Sequence, residues 1–153
     1  MIKEFSDLPA EEQNALLDAI PKITVMIAGA DGSVSETEIN WAEKVAHMRS
    51  YSNEPQLQSY YEAIDQDMDA KISDIIKNSS RDPYVMVDAI AEDLKGLNDI
   101  LPKLEYNFRL ALYRSFLSFA KQVAQADGGL LGFLAIHGEE ADLIELPMLN
   151  PVI

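Results

Sequence analysis

Apolar residues recur along this chain every three or four positions, and that rhythm constrains the fold more than any other feature of the sequence. Leu57, Tyr61, Ile64, Met68, Ile72 and Ile75 form one such stripe. Val87, Ile90, Leu94, Leu97 and Leu101 form another, at near-heptad spacing. No stretch sustains the alternation of a half-buried strand. The 7 glycines and 7 prolines fall mostly at apparent element boundaries. The expected fold is therefore all-α, a bundle of about six or seven helices in a single domain over residues 1–153.

Local signals place the helices. Ser6 or Asp7 can cap a first helix that runs to about Ile20, with Pro9 in its first turn. Pro21 then opens a short apolar helix, Ile23 to Ala30, which stops at Asp31-Gly32. A third runs from Ser35 to about Tyr51, with Ile39, Ala42, Val45 and Ala46 on one side and Glu36, Asn40, Glu43 and His47 on the other. One long helix is expected from about Glu54 to Asn78, and Asp82-Pro83 starts the next. Pro102 opens the longest segment, to about Ala126. Its middle, LALYRSFLSFA, is apolar on nearly every face and is expected at the bundle centre. A last short helix falls between about Leu130 and Leu146, followed by an irregular tail from Pro147.

Charge narrows the partners. With 26 acidic against 12 basic residues the net charge is −14. Such a field repels nucleic-acid phosphates and anionic lipid surfaces, while it attracts cations and basic protein partners. Solubility alone is the plainer account of the same number. Cysteine is absent, which removes disulfides, thiolate zinc sites and thiol catalysis. The start MIKEFSDLPAEEQ has no apolar core of a signal peptide. The longest apolar stretch, Leu110 to Ala120, contains Arg114 and is too short to span a bilayer. A soluble, cytoplasmic chain without membrane insertion is the expectation.

The stretch IAGADGSVSETE, residues 27–38, invites an ion-binding reading. Aligned on a calcium EF-hand with Gly32 at the turn, it has the closing Glu38, but Ile27 and Gly29 fall where the first two side-chain oxygens belong. Calcium takes about six to eight oxygens, so the ligand count removes the EF-hand. Ser35 and Glu38 instead make a capping box, serine hydroxyl to glutamate amide and glutamate carboxylate back to serine amide. A weakened copy, VAQADG, occurs at residues 123–128, as a duplicated helical unit would give. Two accounts stand side by side: cap and turn alone, or weak binding of a hard divalent cation, calcium, magnesium or manganese.

The pattern helix-ADGxVSxxE-helix, with its later ADG, resembles the tellurite-resistance TerB family and its wider TerB-like superfamily. That resemblance is clearest from about Ile23 to Val45, and weaker around residues 116–131. It implies an all-α domain of two related halves and a metal-binding acidic cluster near the two ADG turns. It also implies a role in stress response rather than catalysis. Asp31 and Glu38 match the first motif and Asp127 the second. Leu134 stands where Glu38 would have its counterpart, and Glu139 and Glu140 follow as replacements.

Remaining candidates are weaker. Glu43 and His47 lie one helical turn apart, as two metal ligands or as plain surface. His137, between Ile136 and Gly138, has no paired nucleophile in sequence. Asp65, Asp67 and Asp69 on one helix would diverge, which makes them a solvated face. The segment YSNEPQLQSYY is expected to pack between helices. No phosphate loop, zinc-protease motif or serine elbow is present. A carboxylate enzyme at the interface of the two halves and a structural subunit for a basic partner are the alternatives to a non-enzymatic interaction module.

Overall fold

A computed structural model describes residues 2–30, 32–52, 55–126 and 143–153. Six α-helices form among the described residues, and no strand does. They are α1 (Ala10–Gly29), α2 (Glu36–Ser52), α3 (Pro55–Asp65), α4 (Met68–Lys77), α5 (Pro83–Lys95) and α6 (Tyr106–Ala124). None is long and apolar enough to cross a membrane. The bundle expected from the apolar rhythm is what folds.

Helix α1 corrects the first expectation, because it runs straight through Pro21. Proline removes its own N–H and crowds the carbonyl four residues back, at a cost of about 3 kcal/mol. Ile20, Ile23, Val25, Met26 and Ile27 are all fully buried, each contributing about 1.5–3 kcal/mol, so packing outweighs the break. From Ala19 to Ala30 only Lys22 reaches the surface, where its Nζ lies 3.7 Å from Asp93. Helix α1 packs against all five other helices. It, rather than LALYRSFLSFA, is the centre of the bundle.

Helix α6 begins at Tyr106 instead of Pro102, which belongs to a separate 3₁₀ turn, Leu101–Lys103. The Glu105 carboxylate accepts the Phe108 amide at 3.1 Å and sets that start. The same backbone bonds pull its carboxyl below the ordinary glutamate range. Phe108, Leu112, Phe116, Phe119 and Val123 are buried. Arg114, Ser118 and Lys121 are exposed on the opposite face, so α6 is one-sided.

The long helix expected over 54–78 is two helices, broken at Gln66-Asp67. Asp67 takes φ −140°, and its amide donates to the Ile64 carbonyl at 3.3 Å. Aspartate competes locally with helix continuation. The break also lets Leu57, Tyr60, Tyr61 and Ile64 face the core from α3, and Met68 and Ile72 from α4. Tyr60 and Tyr61 pack between helices as expected, whereas Tyr51 stands 63 % exposed. Asp82 caps α5 by accepting the Tyr84 amide at 3.0 Å, and the whole stripe Val87 to Leu101 is buried.

The tail from Pro147 has no helix but is tied down. Asn98 donates to the Met148 carbonyl at 2.9 Å and accepts the Asn150 amide at 2.8 Å. The short helix expected at 130–146 lies largely outside the described residues.

Candidate functional site

The first ADG turn closes α1 and launches α2. Its Gly32 has φ 95°, a left-handed conformation that suits glycine, and a Cβ there would sit 2.7 Å from the Tyr84 hydroxyl. The Ser35 hydroxyl accepts the Glu38 amide at 3.2 Å, which is the forward half of the capping box. The Ser35 amide donates to the Ala28 carbonyl at 3.0 Å, which ties the start of α2 back to α1. Glu38 itself is buried, 4 % exposed, in the first turn of α2.

Asp31, Asp127, Glu139, Glu140 and His137 lie outside the described residues. Up to their limit the two turns match: the Ala30 amide donates to the Ile27 carbonyl at 3.3 Å, and the Ala126 amide to the Val123 carbonyl at 3.2 Å. Among the described residues no three His, Asp or Glu side chains are grouped to hold a metal.

The break between α3 and α4 leaves Asp67 and Asp69 exposed and Asp65 half-buried, so the three aspartates do not converge, as expected, although two of them reach α2. Asp65 ends α3 and its Oδ2 lies 2.9 Å from Nδ1 of His47 on α2. Asp69, in the first turn of α4, hydrogen-bonds the Glu43 carboxyl one turn earlier on α2. Two carboxyls in contact cannot both ionise cheaply. Partial burial first, then the charge and hydrogen bond of Asp69, raise the Glu43 pKa. Glu43 and His47 thus face two aspartates, in two separate pairs.

Sequence reasoning passed over Arg49. Its guanidinium lies beside the rings of Tyr61 and Phe119, 5.4 and 5.5 Å from their centroids. Nη1 donates to the Tyr61 hydroxyl at 2.9 Å and to the Ser115 carbonyl and hydroxyl at 3.2 Å. Nη2 donates to Ser118 at 3.0 Å and to the Gln122 side chain at 2.5 Å. Tyr61 and Ser115 also hydrogen-bond each other. Burial raises the Tyr61 pKa, and the Arg49 charge opposes that rise. Every acceptor of Arg49 is neutral. A signal was available in the sequence: residues 106–126 hold Arg109, Arg114 and Lys121 and no acid, in a chain with 26 acids.

No family model, curated protein or solved structure matches the chain.

Proposed function

We propose that this chain is a non-enzymatic TerB-like domain of two related helical halves, working in the cytoplasm as an interaction or stress-response module. In this reading the turn at 31–38 holds a divalent cation weakly, through Asp31, Glu38 and Asp127, with Glu139 and Glu140 replacing the acid missing from the second motif. The supporting observation is Glu38. Its side chain is buried in the first turn of α2, at the closing position of the ADGxVSxxE pattern. A hard cation is held by carboxylate oxygens of this kind gathered from neighbouring turns. The acidic surface left over suits a basic protein partner.

Calorimetric titration with calcium, magnesium and manganese is the test. Saturable heat is expected for the wild type, and its loss in Glu38→Gln and in the double variant Asp31→Asn, Asp127→Asn. No heat with any of the three ions would remove the cation clause.

A further inference from the structure

A second site stands apart from the acidic turn, on the opposite charge. Between α2, α3 and α6 lies an open groove of about 720 Å³, within the usual size of small-molecule sites. Leu57, Leu110 and Ala111 give it an apolar floor, and Arg49, Arg114 and Ser118 a polar rim. Among the described residues no acidic side chain lines it, although acids outnumber bases 26 to 12 in the chain. Acid exclusion extends along all of α6, which carries only basic charges.

The two arginines play different parts. Arg49 is immobilised by two rings and by neutral acceptors from α3 and α6, and none of the ion pairs among the described residues involves it. Its hydrogen bonds are used while its charge is not neutralised, so it holds a fixed positive potential at the groove. Arg114, exposed on the rim, has neither an ion pair nor a hydrogen bond among the described residues. Its planar fork matches one carboxylate by two parallel hydrogen bonds.

We propose that this groove binds a small monocarboxylate with an apolar body. Arg114 would take the carboxylate, Arg49 would supply the fixed charge behind it, and Leu57, Leu110 and Ala111 would take the chain. The number of charges follows from the rest of the molecule. One free fork serves one carboxylate, and a net charge of −14 opposes a polyanion more than a monoanion.

Trp41 is the chain's single tryptophan and reports on the site, because its indole N–H donates to the Gln122 carbonyl at 2.9 Å. Gln122 is the same residue whose side chain accepts from Arg49. Titration with octanoate is expected to shift Trp41 emission saturably and to give heat in the calorimeter. Octanol at equal concentration is expected to do neither. Arg114→Ala should weaken octanoate roughly tenfold, the loss of one charge-assisted pair. Ala111→Leu, at a half-buried position on the groove floor, should abolish binding while far-UV circular dichroism stays unchanged. The proposal is overturned if octanoate gives neither signal, if octanol competes equally, or if Arg114→Ala binds as the wild type does. Tighter binding of octyl phosphate than of octanoate would overturn the choice of a monoanion.

Discussion

Glu43 and Asp69 are two acids placed where only one charge is comfortable, and the consequence for stability has a definite sign. In the unfolded chain Glu43 titrates as an ordinary carboxyl. In the fold it holds its proton more tightly, through partial burial and the neighbouring Asp69. Its contribution to stability is therefore fully present below the unfolded value and is lost as pH rises through the raised folded value. At neutral pH the pair is a liability. Glu43→Gln is expected to raise the unfolding midpoint at about pH 7, and the gain should vanish at about pH 4, where the wild-type carboxyl carries its proton. Thermal melts of both proteins across that range check it. An equal difference at both pH values would mean that the substitution acts through packing instead.

Arg49 belongs to a larger scale, since it ties three elements with one side chain. From α2 it reaches Tyr61 on α3 and Ser115, Ser118 and Gln122 on α6. Lysine keeps the charge but not the planar fork or the ring contact. Both Arg49→Lys and Arg49→Ala are therefore expected to destabilise the bundle by roughly 2–3 kcal/mol, read from urea midpoints. A lysine variant as stable as the wild type would show that charge alone matters there. The same residue explains what the sequence could not display. Its partners lie 12 to 73 positions away, beyond any local pattern. Helical stripes such as Val87 to Leu101 were legible because a period of 3.6 is written in consecutive residues. The Ser35 cap was legible for the same reason. Continuity through Pro21 was not, because tertiary packing overrode a local signal, and the break at Asp67 was not, because an unbroken apolar stripe masked the local preference of the aspartate. For the candidate site, the turn and its glycine could be read in advance, whereas the burial of Glu38 and the separate pairing of Asp65 with His47 and of Asp69 with Glu43 needed the fold.

Across the whole molecule, acids occur on every α-helix except α6, which carries only basic charges, and two electrostatic effects compete. Surface pairs such as Lys103 with Glu12 and Lys71 with Asp18, each at 2.8 Å, stabilise by about 0–1 kcal/mol and weaken in salt. Self-repulsion of a net −14 acts the other way and also fades in salt. With 26 acids to 12 bases and few ion pairs among the described residues, repulsion is expected to dominate. Stability in urea is expected to rise as sodium chloride increases from about 10 mM to about 300 mM, while the screening length falls severalfold. A fall over that range would mean that ion pairs dominate instead. Divalent ions then separate screening from binding. If the turn at Glu38 holds a cation, calcium or manganese should stabilise the wild type beyond sodium chloride of matched ionic strength, by linkage to the folded state alone. Glu38→Gln should keep the ionic-strength response and lose the excess. An excess that survives in Glu38→Gln would place the divalent ions elsewhere on the acidic surface.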